Sequence, residues 1–327
     1  MEHFELGWQT GDGLVVYAQG WRPEGTPLGV LCLLHGIGEH TGRYAHVAAA
    51  LCAAGYALVG HDLRGHGRSA GQKGHIPSYE ALLDDAARLL AEARACFPGL
   101  PLFLYGHSQG GNLALNYALR RRPALAGVVA TGPLLRLGFV PPRLKAALGR
   151  LLNNLWPTFS LASGLDRTAL SRDPRVVEAY ARDPLVHDRI SSRFYVAFVD
   201  AGRWALDHAP ELAVPTLLMH GGADRLASVA ASREFAAAAG TGCTLKVWDG
   251  LYHEIHNEPE QARVLAFMLD WLEAQVNGRG ADLAPGPSPL GPCPRDQGPT
   301  RGGEKDVSTT NLGGVFPLPG AGRGAGG

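Results

Sequence analysis

The sequence has little that would commit it to a membrane, a metal or a nucleic acid. No run approaches the roughly 18 apolar residues of a membrane-crossing helix. The start, Met1-Glu2-His3-Phe4-Glu5, is acidic and holds no apolar signal core. Charge of one sign is missing too: Lys+Arg and Asp+Glu are 30 each, so no strong field draws nucleic acid or an acidic partner. Cysteine is scarce, at five residues (Cys32, Cys52, Cys96, Cys243, Cys293), an odd count with no CxxC spacing. Cys32 and Cys243 lie in apolar strand-like runs and read as small buried hydrophobes. A reducing, cytoplasmic setting is the expectation. No His/Cys/carboxylate cluster has zinc spacing, and His253 with His256 lacks the HExxH pattern. The Gly-rich stretch Asp62-Leu63-Arg64-Gly65-His66-Gly67-Arg68-Ser69 has neither a phosphate-loop lysine nor dinucleotide-binding spacing. It predicts an ordered loop locked by Asp–Arg and His contacts. No cofactor and no metal are expected.

What is present is ample core material, with 46% of 327 residues hydrophobic. Short apolar runs predict strands at 14–18, 30–34, 57–60, 102–105, 127–130, 216–220 and 245–248. Helical patterns lie between them. Over 79–97, Leu82, Leu83, Ala86, Leu89, Leu90 and Ala93 recur at helical period, with Ser78 as a cap and Pro98-Gly99 as a stop. Over 259–276, Val264, Leu265, Met268 and Leu272 face inward, with Gly278 as a stop. Alternating strand and helix predicts an α/β fold: a mainly parallel central sheet with helices on both faces.

Two intervals break the rhythm. From 133 to 208 no strand is expected, and Leu144, Leu148, Leu151, Leu152 and Leu155 form an apolar helical stripe. An insertion there would lie over the carboxyl ends of the strands, where such sheets bind ligands. The division is therefore a core of 1–132 and 209–276, a helical cap of 133–208, and a tail of 277–327. In the tail, Gly and Pro supply 22 of 51 residues, so it predicts disorder.

The chemistry concentrates in Gly106-His107-Ser108-Gln109-Gly110, set between an apolar strand and a helical segment. A G-x-S-x-G turn in that context holds its serine strained and exposed, with helix N–H groups beside it. A neutral hydroxyl needs a base, usually a histidine oriented by a carboxylate, in chain order Ser, acid, His. The strand at 216–220 runs into Gly221-Gly222-Ala223-Asp224, and that at 245–248 runs into Asp249-Gly250-Leu251-Tyr252-His253. Ser108, Asp224 and His253 are the candidates. His256 is the competing base, and Asp249 the competing acid, although Asp249 is too near His253 to reach its far nitrogen comfortably. The N–H groups of Gln109 and of Ile37, in the turn His35-Gly36-Ile37-Gly38, are the oxyanion candidates.

Together these residues resemble the monoacylglycerol lipase and lysophospholipase branch of the α/β-hydrolases, also called serine aminopeptidase-like hydrolases. The resemblance spans roughly residues 5 to 276. It rests on His35-Gly36-Ile37-Gly38-Glu39-His40 with Arg43-Tyr44, on 62–69, 106–111 and 221–224, and on His253, Glu254 and Asn257. Leu170-Ser171-Arg172-Asp173-Pro174, Tyr180 and Asp183-Pro184-Leu185 are similar to that family's cap. The resemblance implies the same triad and oxyanion donors, with Glu39, Arg43, His107 and Tyr180 at the polar end of the pocket. It implies a single-chain lipid ester as substrate, with lysophospholipase or general carboxylesterase activity as the runner-up. A non-catalytic binding protein of the same fold is the different-class alternative. Transient membrane-surface contact through the cap is a further expectation. Gln109 stands where many members have Met, and Ala227 where some animal members have Cys.

Overall fold

The computed structural model describes residues 1–140 and 143–279. The expected tail falls outside the described residues except at its start. There the last helix runs on through Gly278 to Arg279, so that glycine is not its stop.

The chain opens with a hairpin whose first strand the apolar-run pattern does not predict. β1 (Glu2–Gln9) pairs antiparallel with β2 (Val15–Arg22), and Phe4, Leu6 and Trp8 point alternately into the core. β3 (Gly29–Leu34), α1 (Ala45–Ala53), β4 (Tyr56–His61), α2 (Tyr79–Cys96), β5 (Leu102–His107), α3 (Gln109–Arg121) and β6 (Gly127–Thr131) follow. Ser78 caps α2 as expected, its hydroxyl accepting from Ala81 N at 3.1 Å. After the insertion come β9 (Thr216–Gly221), α7 (Val229–Ala239), β10 (Cys243–Trp248) and α8 (Gln261–Arg279). The eight strands lie in the order β1-β2-β4-β3-β5-β6-β9-β10, all parallel from β4 onward.

The central strands are apolar on both sides because both sides are covered. Along β3, Val30, Cys32 and Leu34 join α2 and α3 on one face, and Leu31 and Leu33 join α1 and α8 on the other. Every parallel strand ends at the same edge, so the turns after β3, β5, β9 and β10 converge there.

Within the insertion, α4 (Arg143–Leu155), α5 (Pro174–Arg182) and α6 (Ser192–Asp207) are joined by short strands β7 (Ser160–Ala162) and β8 (Arg189–Ser191). These two pair antiparallel, so the expectation of no strand there is corrected: three-residue strands are too short to show a period. Phe194, Phe198 and Ala205 of α6 belong to the main core beneath the sheet. The leucine stripe of α4 faces outward, with Leu144 82% and Leu155 74% exposed. The loop after β4 is ordered, as expected, by Asp–Arg and His contacts, with His66 Nδ1 3.1 Å from Arg64 O. Asp62 accepts from the backbone N–H of Thr41 at 2.9 Å and of Arg68 at 2.8 Å, while Arg64 forks onto buried Asp85.

Candidate active site

Ser108 occupies the turn from β5 into α3 with φ 54° and ψ −113°, a backbone region that L-residues avoid. Holding a non-glycine residue there costs about 1–3 kcal/mol. The neighbouring glycines permit it, because a Cβ on Gly106 would strike Gly110 O and one on Gly110 would strike Leu34 O. The turn is tied down by Ser108 N donating to Thr131 O and by Ser108 O accepting from Asn112 N and Leu134 N, each at 2.9 Å.

β9 and β10 are adjacent parallel strands, and their following turns are stitched together. Gly222 N donates to Trp248 O at 2.7 Å, and Ala223 N to Leu251 O at 2.9 Å. This brings Asp224 under His253, whose Nδ1–H donates to Asp224 Oδ2 at 2.6 Å. The other carboxylate oxygen, Oδ1, accepts from Leu226 N at 2.7 Å and Ala227 N at 3.0 Å. Asp224 is fully buried; burial works to raise its pKa, yet His253 and His220 overcome that and hold it well below the usual carboxylate range. Burial likewise opposes a charge on His253, but Asp224, with Glu254 and Glu39 beyond it, outweighs burial and raises the ring above its ordinary value. Asp249 is exposed, and His256 stacks on Tyr44 with both ring nitrogens unpartnered, so neither competitor forms the pair.

His107, immediately before Ser108, lies 4.8 Å from the His253 ring between centroids, which places the imidazole beside the serine turn. The His107 ring is anchored by Nδ1, 3.1 Å from both Thr131 O and Thr131 Oγ1. Among the described residues no hydrogen bond joins Ser108 Oγ to His253. Such bonds commonly tighten only once substrate is bound.

The turn after β3 faces the serine, since a Cβ built on Gly36 would lie 3.4 Å from Ser108 Cβ. Glu39 Oε1 accepts from Gly36 N at 2.6 Å and from the Tyr44 hydroxyl at 2.8 Å. Gly38, at φ 75°, accepts on its O from His187 N at 2.9 Å, joining the turn to the insertion. Among the described residues the N–H groups of Ile37 and Gln109 have no protein acceptor. Gln109 directly follows the serine, and Ile37 follows Gly36 in the turn that faces it.

Glu39, Arg43 and Tyr180 are brought together with a residue to which the sequence assigned no role, Glu254. Arg43 Nη1 and Nη2 each lie 2.7 Å from a Glu254 oxygen, Nη1 is also 2.7 Å from Glu39, and the guanidinium sits 4.8 Å from the Tyr180 ring. Arg43 and Glu39 thus satisfy one another and form a buried strut from the Gly36 turn to the His253 loop. Tyr180 also lines a cavity of about 260 Å³ in the insertion, with Leu165, Arg167, Asp183 and His187. His220 Nε2 also lies 3.0 Å from Asp224 Oδ2, a contact that a histidine inside an apolar strand run does not signal in the sequence.

Residues 25–260 match the serine aminopeptidase, S33 family of hydrolases. The chain belongs to this family. Among curated relatives it is 37% identical over 258 residues to the monoacylglycerol lipase of Mycolicibacterium smegmatis, covering 78% of this chain and 92% of that protein. It is 34% identical over 270 residues to an uncharacterized abhydrolase domain-containing protein of Dictyostelium discoideum, covering 82% of this chain but spanning only 28% of that protein's length. Among solved structures, Paleococcus ferrophilus monoacylglycerol lipase superposes with a TM-score of 0.74 at 34% identity, over 80% of this chain and 99% of the other. The strained serine turn and the carboxylate–histidine pair therefore sit in a hydrolase chain.

Proposed function

We propose that this chain is a serine ester hydrolase that cleaves monoacylglycerol into glycerol and a fatty acid. The observation that carries the reading is the 2.6 Å bond from His253 Nδ1 to buried Asp224, on a loop beside the strained Ser108 turn. Similarity to monoacylglycerol lipases over most of the chain supports the substrate class.

In this reading His253, tied at Nδ1, accepts the Ser108 proton at Nε2 as Oγ attacks the ester carbonyl. Asp224 keeps the ring in the Nδ1–H tautomer and stabilises the imidazolium. The carbonyl oxygen becomes an oxyanion between the N–H groups of Ile37 and Gln109, each worth about 3 kcal/mol in the barrier. His253 then protonates the departing glycerol oxygen, and water, deprotonated by the same ring, releases the fatty acid. No step calls for a cofactor. Glu39 and Arg43 shape the polar end through the strut, and His107 and Tyr180 present their rings there. The cap over the strand ends, including the outward leucines of α4, offers an apolar approach for the acyl chain and for a lipid surface.

Fatty-acid release from a panel of monoacylglycerols, lysophosphatidylcholine and short p-nitrophenyl esters tests the reading. Monoacylglycerol is expected to be the best substrate, with Ser108→Ala at background. Equal inactivity of wild type and Ser108→Ala on every substrate would point to a binding protein. A preference for lysophosphatidylcholine would make the chain a lysophospholipase.

A further inference from the structure

Asp224 Oδ2 accepts two imidazole hydrogen bonds. Besides His253 Nδ1, it lies 3.0 Å from Nε2 of His220, the residue four positions earlier at the end of β9. His220 and the Asp224 side chain are both completely buried. The carboxylate can only accept, so His220 carries its proton on Nε2. Its Nδ1 is then an acceptor, and the hydroxyl of buried Ser232 on α7 lies 2.7 Å from it. A chain of three hydrogen bonds thus runs from α7 into the site: Ser232 to His220, His220 to Asp224, His253 to Asp224.

The arrangement has two physical consequences. With two backbone donors on Oδ1 and His220 on Oδ2, the carboxylate is fixed in rotation before His253 arrives. Donation by His220 also takes up part of the charge on the oxygen that would stabilise a protonated His253. In a low-dielectric interior neither influence is screened away.

We propose that His220 is a positioning residue of this site: it sets the orientation of Asp224 and moderates the basicity of His253 by sharing Oδ2. This rests on the serine-hydrolase reading. Ser232 holds the His220 tautomer that makes the donation possible. The other charged or titratable groups facing His253 are Glu39, Glu254, His107 and His256, and no substitution below touches them.

The test is the pH dependence of kcat/KM for ester hydrolysis by the full chain. In His220→Leu, kcat/KM should fall about tenfold, and the acid limb should move up by about half a unit or more, the effect of removing one charge-assisted donor. His220→Gln, whose amide can donate to Asp224 and accept from Ser232, should restore the limb. Ser232→Ala should shift it in the same direction by less, and serves where His220→Leu does not fold. A folded His220→Leu with unchanged rate and limb would overturn the proposal. So would a rate loss with an unmoved limb that Gln does not rescue, because that marks a packing defect. Ser108→Ala separates the two readings. If it stays active, the hydrolase reading itself fails; if it is inactive and His220→Leu is indifferent, only the positioning role fails.

Discussion

Arg43 and Glu254 meet as a two-point fork, with Nη1 and Nη2 each 2.7 Å from one carboxylate oxygen, and Glu254 directly follows His253 in the chain. The same guanidinium holds Glu39, whose other oxygen holds Gly36 N. One buried cation therefore joins the loop that carries His253 to the turn that carries Ile37. Glu254 is held well below the usual carboxylate range; burial works to raise it, and Arg43 overrides that.

Removing Arg43 leaves two buried carboxylates without a cation. Arg43→Ala should lower stability by about 3–5 kcal/mol. Arg43→Lys should recover only part of this, because an ammonium cannot make the fork. Urea unfolding of the three proteins decides it. Equal midpoints would mean that the strut contributes nothing.

The positive φ of Ser108 predicts an asymmetry between two inactive variants. Glycine accepts that backbone conformation and alanine does not. Ser108→Gly should therefore unfold about 1 kcal/mol later than Ser108→Ala despite glycine's greater chain entropy. Thermal unfolding of the pair is the measurement, and a less stable glycine variant would show the turn to be unstrained.

Asp224 and Asp249 stand on neighbouring turns but only Asp224 touches the histidine. Asp224→Asn should reduce kcat by about 10⁴ by disturbing the His253 tautomer. Asp249→Asn, on an exposed side chain, should stay within about twofold of wild type. Comparable losses in both variants would reopen the choice of acid.

Acid should affect activity and stability through different histidines. The pKa of His253 is raised above the ordinary 6.5, so its base function is lost as pH falls through a value above 6.5. Its own stabilising contribution has the opposite sense, full below 6.5 and lost as pH rises through the raised value. His61 and His256 are buried and pushed down to about 4 and about 3. The unfolded chain takes up those protons near 6.5, so the stability they contribute is present above 6.5 and is lost as pH falls toward the lower values. His35, His66, His75, His107 and His187 are lowered by burial as well, so seven histidines are lowered against one raised, and Tm should drop between about pH 7 and about pH 5. An acid limb below 6.5, or a Tm that rises on acidification, would contradict this assignment.

The leucines of α4 are more exposed than a packed helix face would be, and Phe139, Val140 and Trp156 extend the patch. Replacing Leu148, Leu151 and Leu155 together by Ser should lower Tm by no more than about 5 °C, as each side chain is about half exposed or more. The same variant should bind phospholipid vesicles less in co-sedimentation. A large Tm loss would show that the stripe packs inward, and unchanged sedimentation would remove it from membrane contact.

The serine turn is encoded within five residues, because the glycine requirement arises from neighbours a few positions away. The buried strands are legible as apolar runs, and Ser78 as a cap. The β1 strand was legible in principle through Phe4, Leu6 and Trp8, yet its polar alternate residues disguised it beside the continuous runs of the central sheet. The stripe on α4 reveals a helix, but which way it faces depends on where the insertion lies.

Sequence alone determined the α/β alternation, the nucleophile candidate and the chain order of acid and base, since each depends on near neighbours and on strand ends. Only the tertiary structure decided that Asp224 rather than Asp249 meets His253, because that depends on the register of β9 beside β10. It alone showed Arg43 joining two loops and His220 turned back onto the acid. Those contacts depend on side-chain direction across the sheet and between loops far apart in the chain, which a one-dimensional pattern does not carry.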